Sequence, residues 1–171
     1  IDVAAATERG IAVTNTPEVL TDCVADLGMA LILATLRKVV VGDRYVRAGR
    51  WTKEGFMDLT DSPRGRRLGI VGLGRIGLEL ANRAEAFGMS IVYYNRTERD
   101  DVSYPYYENA VALAEACDVL ALTCPGGEAT RNLIGAEVLA ALGPKGYLIN
   151  IARGTVVDEA ALVTAISEHI I

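Results

Sequence analysis

The segment Arg67-Leu68-Gly69-Ile70-Val71-Gly72-Leu73-Gly74-Arg75-Ile76-Gly77 carries a short apolar run into a G-x-G-x-x-G turn, which is followed by a helical pattern. Leu68 to Val71 reads as a buried parallel strand, while Ile76, Leu80, Ala84 and Phe87 recur at helical spacing before Gly88 ends the helix. Gly72 permits the tight turn out of the strand, Gly74 lets the backbone approach a ligand, and Gly77 lets the helix pack closely on the sheet. Arg75 and Ile76 then offer backbone N–H groups at a helix N-terminus, the place where a pyrophosphate binds. Seventeen glycines in 171 residues produce chance matches, so the strand before the turn and the helix after it carry the reading of a dinucleotide site rather than a bare structural turn.

From residue 68 onward strand and helix alternate: strand 68–72, helix 75–87, strand 90–94, helix 109–116, strand 118–122, helix 136–142, strand 146–151 and helix 158–168. This order predicts an α/β fold, a doubly wound parallel sheet of the Rossmann-like dinucleotide-binding type. Right-handed crossovers put the strand ends on one edge, so Gly72, Asn95, Thr123 and Arg153 should line one crevice. Upstream, residues 2–9 read as helix and 11–14 as a short strand, and Thr16-Pro17-Glu18 as an N-cap, a first-position proline and a first-turn acid. A long helix is expected from about 17 to 48, disturbed at Gly42 and apolar on all sides from Leu27 to Ala34. Such a helix needs cover from this domain and from another domain or subunit, which predicts a homodimer. Pro63 and Gly65 mark the loop before residue 68 as a hinge or boundary.

Composition narrows the classes. An apolar content of 51% with 6% aromatics suits aliphatic strands in a single domain, and a net charge of −5 argues against nucleic acid as a main partner. Arg64, Arg66 and Arg67 read as a solvated loop cluster. The run Leu27 to Leu36 is too short for a bilayer, and Ile1-Asp2-Val3-Ala4 has neither a start methionine nor signal-peptide character, so the chain is expected to be a fragment of a longer protein. Cys23, Cys117 and Cys124 are an odd number without metal-type spacing, which fits reduced thiols in a cytoplasmic protein; Cys23 and Cys117 are most simply buried small side chains.

The second strand, Ser90 to Tyr94, is followed by Asn95-Arg96-Thr97-Glu98-Arg99. Asn95 lies 18 positions after Gly77, near the spacing of about 20 residues at which an acidic residue meets the adenosine ribose. A carboxylate there would repel a 2′-phosphate, whereas neutral Asn95 does not and Arg96 can bind one, so NADP is expected in preference to NAD. The alternative is that Arg96 and Arg99 are solvated charges and Asn95 serves NAD.

Farther on, strand 146–151 leads into Asn150-Ile151-Ala152-Arg153-Gly154-Thr155-Val156-Val157-Asp158-Glu159. With the Gly72–Gly77 turn and the opening Ile-Asp-Val-Ala-Ala-Ala-Thr-Glu-Arg-Gly-Ile-Ala-Val-Thr-Asn-Thr-Pro, this motif closely resembles the D-isomer-specific 2-hydroxyacid dehydrogenases over nearly the whole chain. The resemblance implies that Arg153 is the catalytic guanidinium that binds the substrate carboxylate and polarises its 2-oxo group, work suited to a planar fork of donors. It also assigns Leu73 to Ile76 to the pyrophosphate, Asn95 to Thr97 to the ribose and 2′-phosphate, and Cys124, Pro125 and Thr130 to the cofactor's flank. The same resemblance implies that the Ile151 backbone faces the nicotinamide. Gly126-Gly127 departs from the larger residues usual there.

Hydride transfer to a 2-oxo acid also needs a proton donor, in this family a histidine tuned by a glutamate. His169, the one histidine, lacks the family's threonine-proline context and reads as a helix-terminal surface residue. The expected pair would lie beyond Ile171, with much of the substrate domain outside the segment. The whole protein is thus expected to be an NADP-dependent reductase of the glyoxylate or hydroxypyruvate type, without a metal, and the segment alone inactive. Two other readings stay open: a dinucleotide-sensing corepressor module, and an NAD-dependent phosphoglycerate- or formate-type dehydrogenase.

Overall fold

The computed structural model describes residues 1–16 and 19–171. Five strands form one parallel sheet: β1 (Arg67–Val71), β2 (Ser90–Tyr94), β3 (Tyr106–Tyr107), β4 (Val119–Leu122) and β5 (Tyr147–Asn150). Their order across the sheet is β3-β2-β1-β4-β5. The chain winds outward one way from β1 through β2 to β3, then returns to β1's other side at β4. That reversal opens a crevice beyond the carboxyl ends of β1 and β4.

Residues alternate between two cores, as the two-residue period of a strand requires. Leu68 and Ile70, Ile91 and Tyr93, Val119 and Ala121, and Ile149 face one core with helices α2 (Thr21–Leu36) and α5 (Arg75–Ala86). Val71, Val92, Leu120 and Leu122 face the other, with α6 (Ala110–Glu115), α7 (Ala136–Leu142) and α8 (Glu159–Ser167). Asp158 caps α8 by accepting from Ala161 N at 3.0 Å, and Asn109 caps α6 through Ala112 N at 2.9 Å. Every strand and helix expected from residue 68 onward is present. β3 was not anticipated, because two residues carry no readable period.

Upstream the reading needs correction. Helix α1 (Val3–Glu8) is present, but residues 11–14 form no strand; Ile11 and Val13 are exposed and have no neighbouring strand to pair with. The expected cap at Thr16-Pro17-Glu18 falls partly outside the described residues. The single helix to residue 48 is instead α2, α3 (Val39–Arg47) and α4 (Arg50–Glu54). The break falls at Lys38, which adopts φ 49°, and not at Gly42. There the Leu36 carbonyl, freed from the helix, accepts from Asp61 N at 3.1 Å. Gly42 stays helical; a Cβ there would lie 3.4 Å from Met57 Sδ, so the glycine gives the returning loop room.

One face of α2, carrying Ala25, Met29, Ile32 and Leu36, is buried, while Leu27 and Leu31 remain exposed. Arg83 of α5 bridges to Asp22 and Asp26 of α2 at 3.1 and 2.6 Å. The basic cluster is more than a solvated loop. Arg66 pairs with Asp61 at 2.6 Å and lies over the Tyr147 ring, and Arg67 donates to the Ala116 carbonyl at 2.9 Å. Cys23 is exposed, contrary to expectation, because its position on α2 faces away from the sheet; Cys117 packs beneath Gly69. Among the described residues no helix is long and apolar enough to cross a membrane.

Candidate dinucleotide and substrate site

The glycine turn has three separable jobs. Gly72 has φ +95°, and a Cβ there would meet the Cys124 Cα and N at 2.6 Å. A Cβ on Gly77 would lie 2.8 Å from the Gly72 carbonyl oxygen and 2.9 Å from Thr123 Oγ1. Both glycines are therefore demanded by packing between β1, β4 and α5. Gly74 differs: its Cβ would meet nothing nearer than the Gly72 carbonyl at 4.0 Å. That open space lies at the N-terminus of α5, where the first intrahelical bond runs from Leu78 N to the Gly74 carbonyl at 2.9 Å. An α-helix start of this kind, with backbone that lies open beside it, is the place where a phosphate binds.

A cleft of about 860 Å³ runs from this turn to the segment after β5. It is lined by Gly74, Arg75, Ile76, Cys124, Pro125, Ile151 and Arg153 among the expected site residues. A second cavity of about 230 Å³ shares Cys124 and Pro125 and is lined by Gly72, Asn95, Arg96 and Thr130. The two cavities lie side by side, with Cys124 and Pro125 lining both. Thr97 is exposed and lines neither cavity, and Leu73 and Gly77 are buried beneath the turn.

Local bonds explain how the loops hold their shapes. Thr130 Oγ1 donates to the Pro125 carbonyl at 2.8 Å, closing the loop that carries Cys124 and Pro125. Burial pushes the Cys124 thiol upward, which keeps it a neutral packing group under the turn. Asn150 accepts from Ala152 N at 2.9 Å and donates to the Arg153 carbonyl at 3.0 Å, bracing the segment that presents Arg153. The Arg153 side chain is exposed, and its Nη1 donates to the Ala152 carbonyl at 2.8 Å. Its stem lies over Gly126, where a Cβ would fall 2.6 Å from Arg153 Cγ. The unusual glycine at 126 therefore makes room for the guanidinium's stem.

Other participants escaped the sequence reading. Gly28 on α2 leaves space for Ile151, since a Cβ there would sit 2.8 Å from Ile151 Cδ1. Thr16, Leu20 and Thr21 line the large cleft from the N-terminal side. Arg99 donates through Nη1 to the Leu73 carbonyl at 2.8 Å, a contact its loop position did not announce. His169 lies at the end of α8, exposed, with φ 56°, and does not line the cleft.

Comparison with known proteins agrees with this geometry. Residues 29–171 match the family model described as D-isomer specific 2-hydroxyacid dehydrogenase, NAD binding domain. A glyoxylate/hydroxypyruvate reductase A from Arabidopsis thaliana is 52% identical over 98% of this chain and 53% of its own length. A hydroxyphenylpyruvate reductase from Plectranthus scutellarioides is 51% identical over the same shares. The crystal structure of an NADPH-dependent glyoxylate/hydroxypyruvate reductase from Sinorhizobium meliloti, in complex with NADP and malonate, superposes with a TM-score of 0.94. It is 50% identical over 99% of this chain and 54% of that one. The chain thus spans about half the length of the relatives it matches. On sequence and on fold, it belongs to the D-isomer specific 2-hydroxyacid dehydrogenases, within their NAD binding domain.

Proposed function

We propose that the protein containing these residues is a reductase of small 2-oxo acids of the glyoxylate or hydroxypyruvate type, using NADPH in preference to NADH. The observation that carries this reading is the sharing of one cleft by the open Gly74 turn and Arg153, with Arg96 at the far end of the adjoining cavity. The bound dinucleotide supplies the hydride. Gly74, Arg75 and Ile76 hold its pyrophosphate, Cys124, Pro125 and Thr130 flank it, and Ile151 backs the nicotinamide. Asn95 avoids the repulsion a carboxylate would exert on a 2′-phosphate, and Arg96, with Thr97 beside it, supplies the matching charge.

At the other end Arg153 grips the substrate carboxylate and orients its 2-oxo oxygen, stabilising the negative charge that develops there. The proton for that oxygen comes from a histidine outside these residues, since His169 lies away from the cleft. The names of the glyoxylate/hydroxypyruvate reductases, together with an NADP-bound relative, support the substrate and cofactor assignments. A homodimer is in keeping with the apolar residues exposed on α2 and α3, Leu27, Leu31, Val39, Val40 and Val41 among them, and a cytoplasmic location with three free cysteines.

Titrating the chain with NADPH and NADH tests the cofactor: tighter NADPH binding is expected, and equal or tighter NADH binding overturns it. NADPH oxidation with glyoxylate and hydroxypyruvate is expected from the full-length protein and not from these 171 residues alone. Robust turnover by the segment would remove the need for an external acid.

A further inference from the structure

The Leu73–Gly74 peptide unit at the heart of the turn is gripped from the loop after β2. Its carbonyl accepts from Arg99 Nη1 at 2.8 Å, while its N–H, on Gly74, donates to the Gly72 carbonyl at 2.7 Å. The preceding amide, Leu73 N–H, donates to Asn95 Oδ1 at 2.6 Å. Arg99 is itself anchored. Its Nε donates to Asp101 Oδ1 at 2.8 Å, its Nη2 pairs with Asp101 Oδ2, and its backbone N–H donates to the hydroxyl of Tyr93, a fully buried residue of β2. A continuous set of polar contacts therefore runs from the sheet interior to the peptide that shapes the turn.

Arg99 has three candidate roles: a solvated charge, a second ligand for a 2′-phosphate, or a brace for the turn. Its side chain is only 26% exposed, which argues against the first. Asp101 takes up one edge of the guanidinium and the Leu73 carbonyl takes another donor, which argues against the second. Arg96, in contrast, is exposed and lines the cavity beside Asn95.

We propose that Arg99 is a positioning residue, holding the Leu73–Gly74 peptide so that the start of α5 presents its N–H groups to the dinucleotide pyrophosphate. Arg96 then carries the discrimination between NADPH and NADH, and Arg99 carries affinity common to both. The proposal rests on the dinucleotide reading of the site. Because the pyrophosphate is common to the two nucleotides, loss of the brace weakens both equally.

The test compares Kd for NADPH and NADH in the wild-type chain and in R99A, R99K and R96A, with amide hydrogen exchange at Leu73 and Gly74 in the nucleotide-free proteins. R99A is expected to weaken both nucleotides by about tenfold, the effect of losing a hydrogen bond from a charged donor, and to leave their ratio unchanged. R99K, which keeps the charge but cannot hold Asp101 by a fork while reaching Leu73, should behave like R99A. It also serves if R99A fails to fold. R96A should weaken NADPH alone. Exchange at Leu73 and Gly74 should speed up by about tenfold in both Arg99 variants, with α5's inner turns unaffected.

A changed NADPH-to-NADH ratio in R99A would make Arg99 a phosphate ligand, and unchanged affinities would make it a solvated charge; either overturns the proposal. If the wild type binds neither nucleotide, the dinucleotide reading fails. The exchange data still decide the brace in that case, and unaltered exchange would reject it.

Discussion

A methyl group added at Gly74 should leave the fold intact and damage nucleotide binding, whereas the same methyl at Gly72 should act first on the stability of the fold. At Gly74 the backbone (φ −90°, ψ −157°) is open to alanine, and the nearest atom to a Cβ is the Gly72 carbonyl at 4.0 Å. Alanine is a poorer helix N-cap than glycine by roughly 0.5–1 kcal/mol. Lower entropy of the unfolded chain offsets this by about 0.4–1 kcal/mol. The net change should stay within about 0.5 kcal/mol, a Tm shift of no more than about 2 °C for a domain of this size.

Binding is another matter, because the methyl occupies the space into which a phosphate must come to reach the first N–H groups of α5. Losing a charge-assisted hydrogen bond costs about 1.5–3 kcal/mol, roughly a ten- to hundredfold rise in Kd for NADPH. Gly72→Ala forces φ +95° on a residue with a Cβ and drives that atom to 2.6 Å from the Cys124 backbone. Strain and overpacking together should cost about 2–6 kcal/mol, lowering Tm by at least about 4 °C. Thermal unfolding and fluorescence titration with NADPH measure both quantities in each variant. If Gly74→Ala bound NADPH as the wild type does, the pyrophosphate would not lie on this turn. If it lost stability like Gly72→Ala, the assignment of separate roles would be wrong.

Two further changes probe the scaffold. Burial, reinforced by Asp118, pushes the Cys117 thiol from its ordinary 9.0 up to about 12. The unfolded chain releases this proton first, so the contribution to stability is full below the ordinary value and is lost as pH rises toward the folded one. Denaturant titrations from pH 8 to 12 should show a steeper alkaline loss in the wild type than in C117A, and matching slopes would contradict the burial argument. Lys38 sits at φ 49° between α2 and α3. Lys38→Gly relieves a left-handed conformation costing about 1–2 kcal/mol, less glycine's entropic penalty of roughly 0.5–1 kcal/mol, so Tm should rise by about 1–4 °C. An unchanged or lower Tm would show that Lys38 carries no strain worth relieving.

From residue 68 onward the fold was legible because local and global demands agree. Strand positions such as Leu68, Ile70, Ile91 and Val119 are aliphatic, and Asn109 and Asp158 mark helix starts with side chains that cap. Between residues 11 and 60 local pattern misled. Val39, Val40 and Val41 extend the apolar run of α2, but a bend at Lys38 and the return of the chain through Asp61 divide it. Apolar content alone does not specify where a helix turns when part of its surface is left uncovered within the chain.

The site divides in the same way. Glycine positions, the neutral Asn95 with Arg96, and the motif around Arg153 were visible in the primary structure, since backbone approach and charge choice are written in residue type and spacing. The sheet order, which brings β1 beside β4 and so sets the glycine turn and Arg153 along one cleft, is a property of tertiary pairing. So are the grip of Arg99 on Leu73, the room Gly126 leaves for Arg153 and the fit of Ile151 against Gly28. These contacts join residues between 26 and 123 positions apart in the chain, and distance in sequence carries no record of which side chain will fill which space. Sequence by itself determined the type of ligand surface; only the packed structure decided which side chains hold it in shape.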